Sequence, residues 1–105
     1  MRVVALLAVL ATSCASGGYL CVPDDPVRVQ KLSIDARDWA EIRALALQHP
    51  DTPYIVLVCR TKIGATDYIE VRMARSPSAQ SGPVYFFYQA AGSWKRLDEM
   101  SQWFE

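Results

Sequence analysis

Tyr54-Ile55-Val56-Leu57-Val58-Cys59 is a continuous run of β-branched, aromatic and other apolar residues, six long and free of charge. A run of this length and composition reads as a strand covered on both faces. Residues 67–74 follow with strict alternation: Tyr68, Glu70 and Arg72 fall on one side, Ile69, Val71 and Met73 on the other. That is the pattern of a half-exposed strand, and Gly64 in the short connection predicts a turn between antiparallel neighbours. The polar segment 76–83 reads as a loop, and Val84-Tyr85-Phe86-Phe87-Tyr88-Gln89 as a third strand. Ala90-Ala91-Gly92-Ser93 then turns the chain into a short strand at 94–96. The spacing of Leu97, Met100 and Trp103 or Phe104 predicts a short C-terminal helix over 97–104.

Working back from the run, His49-Pro50-Asp51-Thr52-Pro53 ends a helix predicted over 36–48, because Pro50 cannot continue helical hydrogen bonding and disfavours helical geometry at His49. Trp39, Ile42, Leu45 and Ala46 recur at helical spacing, and Asp35 stands where an N-cap belongs. His49 is the sole histidine, with no nucleophile or second ligand near it in sequence, and reads as a helix-closing imidazole that complements the dipole. Residues 27–34 read as a strand with imperfect alternation, and Asp24-Asp25 between Pro23 and Pro26 as a solvated turn rather than a calcium loop.

The front of the chain is an address. Arg2 precedes nine uncharged apolar residues, 3–11, far short of the roughly 20 that cross a bilayer and within the range of a secretory signal core. Leu10-Ala11-Thr12-Ser13-Cys14 resembles the lipobox of bacterial lipoproteins. The resemblance implies a signal peptide over 1–13, diacylglycerol and fatty-acyl (palmitate) attachment at Cys14, and a lipid-anchored tether over 14–26 ahead of a domain spanning 27–105. Ala15 after that cysteine implies an outer membrane facing the periplasm rather than inner-membrane retention. The partners expected on this reading are the membrane, through the N-terminal lipid, and an envelope protein.

Removing Arg2 with the signal leaves 10 basic residues against 11 acidic ones, interleaved along the chain. No basic stripe exists for a phosphate backbone, so no nucleic-acid partner is expected. Lipidation of Cys14 leaves Cys21 and Cys59 as an even pair in an oxidising compartment, and a disulfide between them is the economical expectation. Two reduced, buried thiols are the other reading. A redox or metal site has neither a CxxC motif nor a Cys/His cluster behind it, and no cofactor is expected.

Strand, helix and antiparallel meander predict an α+β domain: one long helix packed on a four- to five-stranded, mainly antiparallel sheet, with the short C-terminal helix added. The last hairpin, with its aromatic strand, glycine turn and Trp94, resembles the closing hairpin of cystatin-like helix-on-sheet domains, and that likeness carries no functional residue. Tyr85 and Phe87 point to one face of their strand, Phe86 and Tyr88 to the other. One helix covers one face, so the other set is covered by Trp103 and Phe104, by the disulfide-linked N-terminal segment, or by another molecule; on the last reading Tyr85, Phe86, Phe87 and Tyr88 with Trp94 are the candidate partner-binding surface. No GxSxG motif surrounds any serine, and Asp67 and Glu70 lie on opposite faces of their strand. The chain therefore reads as a non-enzymatic envelope protein that binds a protein or a small envelope ligand. An accessory structural subunit is the alternative, with a small hydrolase behind it.

Overall fold

A computed structural model describes residues 20–98 and 101–105. The first strand, β1 (Leu20–Val22), leads into a four-residue helix, α1 (Pro26–Val29), a 3-10 turn (Gln30–Leu32) and a second helix, α2 (Ala36–Ala46). Five further strands follow: β2 (Tyr54–Ile63), β3 (Thr66–Ala74), β4 (Ser81–Ala90), β5 (Ser93–Arg96) and β6 (Ser101–Phe104). All six strands form one antiparallel sheet in the order β1-β2-β3-β4-β5, and β6 pairs with β4 beside β5.

This overturns the expected architecture of one long helix on four or five strands. Among the described residues the sheet has six strands, and the helical parts are the eleven residues of α2 and the seven of α1 with its 3-10 turn. Three local substitutions account for the difference. The strand expected over 27–34 is helical, because Asp25 accepts from Val27 N at 2.9 Å as an N-cap and Pro26 opens the first turn with its φ already fixed. Within the helix and its 3-10 turn Val29 and Leu32, three apart, are the buried residues, a helical spacing, and Ile34 is buried just beyond the turn. The C-terminal helix is a strand: the first half of β4 leaves an edge of backbone donors and acceptors, and Ser101, Gln102, Trp103 and Phe104 pair with Val84, Pro83, Gly82 and Ser81. Finally, α2 stops at Ala46, two residues before its expected end, with Asp35 capping Asp38 N at 2.8 Å as its spacing predicts.

Both hairpin turns follow from their residues. Gly64 has φ +64° at the first central position of the β2–β3 turn, the backbone of a type II′ connection. At the β4–β5 turn Ala91 (φ 53°) and Gly92 (φ 81°) both take left-handed geometry, the type I′ pattern, which suits the twist of the strands but strains the alanine. The turns after β2 and β4 lie at one end of the sheet because those strands run parallel to each other on either side of β3.

One face of the sheet carries the core. Val22, Val58, Ile69, Val71, Met73, Tyr85 and Phe87 form a single cluster with Val29, Leu32 and Ile34, and with Trp39, Ile42 and Ala46 of α2. Arg60 sits on this face near the rim, where its guanidinium donates to the carbonyls of Leu32 (2.7 Å) and Ser33 (3.3 Å) and ties the helical segment to β2. Asp24 pairs with Arg43 at 3.2 Å, so the Asp24-Asp25 segment is not merely solvated: one carboxylate caps α1 and the other anchors it to α2. The apolar run that opened the reading is covered less fully than expected, since β1 pairs only with residues 58–60 and a register shift breaks the β2–β3 ladder between Ile55 and Leu57. Val58 and Cys59 are buried, while Tyr54 stays exposed.

Candidate functional site

Strand register determines what stands on the second face. Cys59 pairs with Glu70 and Glu70 with Phe86; Thr61 pairs with Tyr68; Tyr88 pairs with Lys95; Leu57 pairs with Arg72 and Arg72 with Val84. Because paired residues share a face, these side chains form parallel rows across the sheet. The buried side chains of both helices join the cluster on the other face, and among the described residues no helix buries a side chain here.

An aromatic group occupies the middle of this open face. Tyr68 meets Phe86 edge-on at 6.2 Å between ring centroids and Tyr88 edge-on at 6.1 Å, and all three rings remain partly exposed. Edge-to-face contact is the favoured arrangement of rings with opposite edge and face electrostatics, so the three hold one another in place. Next to them Arg72 Nε donates to Glu70 Oε2 at 2.8 Å. Glu70 is 7% exposed and is the buried charged residue of the described chain. Its position between Cys59 and Phe86 leaves the carboxylate little water, and the guanidinium supplies the charge-assisted hydrogen bond such a group requires.

The face is closed off at one side by β6. Trp103 lies opposite Gly82, and its indole Nε1 donates to the Met73 carbonyl at 2.7 Å, reaching across β4 to β3. This crossing explains Gly82: a Cβ there would collide with the Met73 carbonyl and press on the indole nitrogen. Two shallow clefts flank the Trp103–Phe104 edge, one of about 420 Å³ reaching Leu57, Arg72 and Pro77, the other of about 310 Å³ reaching Glu70, Val84 and Phe86. The disulfide lies on the same face: Cys21 and Cys59 are bonded across directly paired positions of β1 and β2, 38 residues apart in sequence.

The aromatic strand is therefore divided between two environments. Tyr85 and Phe87 belong to the core, at 4% and 0% exposure, and are withdrawn from any surface. Trp94 lies against the core cluster as well, with its backbone N–H donating to Glu41 at 3.0 Å. Of the five aromatic residues expected to meet a partner, Phe86 and Tyr88 face outward. Tyr68, which sequence reading placed on an exposed side without giving it a role, completes the group. The signal that could have found it is its alternation parity in β3, once β3 and β4 were known to be neighbours.

His49 lies outside α2 and does not close it. Its ring stacks on Tyr85 at 5.5 Å between centroids, and Nε2 is 3.0 Å from Arg96 Nη1, whose guanidinium also lies 5.0 Å from the Tyr85 ring centre. Arginine can only donate, so the imidazole nitrogen accepts in this contact. The arrangement covers the rim of the core and presents no nucleophile. Among the described residues no three of His, Cys, Asp and Glu converge as a metal set, and no helix is long and apolar enough to cross a membrane. Cys14, with the signal segment 1–13 and the first part of the tether, lies outside the described residues.

No protein family, curated protein or solved structure matches the chain.

Proposed function

We propose that this chain is a lipid-anchored cell-envelope protein without catalytic activity, held in the outer membrane through Cys14, and that it binds a protein partner through the open sheet face. The observation that carries the binding half is the grouping of Tyr68, Phe86 and Tyr88, three large rings left partly in water beside an ion pair of which only the Glu70 carboxylate is buried. Tyrosines that expose both ring and hydroxyl favour protein interfaces, since they bring large contact area with few rotatable bonds and a polar tip. A lone rim of lysine, here Lys95 beside Tyr88, suits the polar border of such a patch. The anchoring half is supported by the resemblance of residues 10–14 to a lipobox. A cross-strand disulfide is the staple expected of a small exported domain.

Two measurements test the two halves separately. The mass of the protein from the membrane fraction of its host is expected to lack residues 1–13 and carry acyl chains, and Cys14→Ser is expected to abolish both; an unprocessed, unmodified wild-type chain would refute the anchor. Photo-reactive benzoylphenylalanine at Tyr88 is expected to give a discrete protein adduct in intact cells, whereas the same residue at Val27, exposed on α1, is not. Equal adducts from both positions would refute the assignment of the face.

A further inference from the structure

The N-terminal end of β1 lies toward the end of the sheet that carries the β2–β3 turn. β1 is antiparallel to β2, with Leu20 opposite Arg60 and Val22 opposite Val58, so Leu20 is the residue of β1 nearest the end at which β2 reaches Ile63. Two large apolar side chains stand exposed at that end, Leu20 (51%) and Ile63 (53%). The turn residues Gly64 and Ala65 and those of the neighbouring β4–β5 turn, Ala91 and Gly92, carry no charge. Lysines flank both turns, Lys62 on β2 and Lys95 on β5, with Asp67 as the acid opposite Lys62.

Cys14 lies six residues before Leu20 in the sequence. An extended peptide spans at most about 3.6 Å per residue, so a lipid on Cys14 is within roughly 20 Å of Leu20. Measured from Arg60, which faces Leu20, the turn end at Ile63 lies three residues along β2, about 10 Å at strand rise, and the opposite end at Tyr54 six residues, about 20 Å.

We infer that the β2–β3 turn end, through Ile63 and Leu20 with Lys62 beside them, rests on the surface of a bilayer containing anionic phospholipid and holds the sheet upright on it. The inference builds on lipidation of Cys14. Apolar side chains at the tip enter the headgroup boundary, Lys62 meets the negative lipid surface, and the short reach from the anchor keeps them there at high effective concentration. The aromatic face then stands along the membrane normal, open sideways to a partner in the same compartment.

The test uses the full chain, lipidated in its host and reconstituted into vesicles of phosphatidylethanolamine and phosphatidylglycerol doped with nitroxide-labelled lipid. A genetically encoded coumarin residue is placed at Ala65, or at Ser78 in the loop at the far end. Quenching at Ala65 is expected to exceed that at Ser78 several-fold, and Ile63→Asp, an exposed position, is expected to reduce it to the Ser78 level without changing the acylated mass. Acylated protein with equal quenching at the two positions, or quenching at Ala65 that Ile63→Asp leaves intact, overturns the docking while the anchor stands. Protein whose mass carries no acyl chain overturns both.

Discussion

Tyr85 and Phe87 share a strand with Phe86 and Tyr88, with the same two residue types in each pair, and their fates are opposite. The first pair is sealed against Val71 and Ile69 of the neighbouring strand and against the helical segment; the second stays partly in water with Tyr68. Composition does not distinguish the two faces, and neither does strand propensity. What distinguishes them is cover: α1, its 3-10 turn and α2 deliver Val29, Leu32, Trp39, Ile42 and Ala46 to one side. The core face carries the apolar burial. The open face keeps Tyr68, Phe86 and Tyr88 partly in water, beside a half-buried ion pair and the disulfide.

The sharpest way to break this contrast is to truncate adjacent rings. Phe87→Ala empties a fully buried site and is expected to cost about 3–5 kcal/mol, close to the whole stability of a chain this size, whereas Phe86→Ala is expected to cost no more than about 1 kcal/mol. Urea unfolding followed by near-ultraviolet circular dichroism measures both, and equal losses would erase the distinction between the faces.

Second in size is the staple. Replacing Cys21 and Cys59 together by alanine is expected to lower stability by roughly 2–4 kcal/mol, since the bond closes a loop of nearly forty residues in the unfolded chain. The unfolding midpoint of the double variant, compared with that of wild type in the presence and absence of reductant, checks this. Arg72→Ala comes next: it removes the guanidinium from the buried Glu70 carboxylate and is expected to cost about 2 kcal/mol, with Arg72→Lys recovering part of it. The loss belongs to the open face, so it shows how far that face also contributes to the fold. The smallest change runs the other way. Ala91→Gly relieves left-handed strain in a turn that belongs to neither face and is expected to raise stability by about 1 kcal/mol, read from the thermal midpoint.

The meander from residue 54 to 96 was legible because its signals are local: alternation in β3, an apolar run in β2, and turn residues at Gly64 and Gly92. The two ends were not, for different reasons. At the front, the alternation of Val27 and Val29 with Arg28 and Gln30 outweighed the Asp25-Pro26 helix start, although Val29 and Leu32 already stood three apart. At the back, Leu97, Met100 and Trp103 have helical spacing, and the free edge of β4 overrode it by offering four paired positions and an indole acceptor on Met73. Pairing of this kind depends on a strand distant in sequence, and no local pattern announces it. The candidate site was half legible for the same reason. Parity separated Phe86 and Tyr88 from Tyr85 and Phe87, but which set faced outward, and that Tyr68 joined it, depended on where the helical segment settled.

The division of labour between the faces is tested most directly by Phe86→Ala/Tyr88→Ala in one chain carrying benzoylphenylalanine at Tyr68. The account predicts a folded protein, within about 2 kcal/mol of wild type, still acylated and membrane-bound, whose photo-adduct in intact cells is lost. A folded double variant that forms the same adduct in undiminished yield would contradict it.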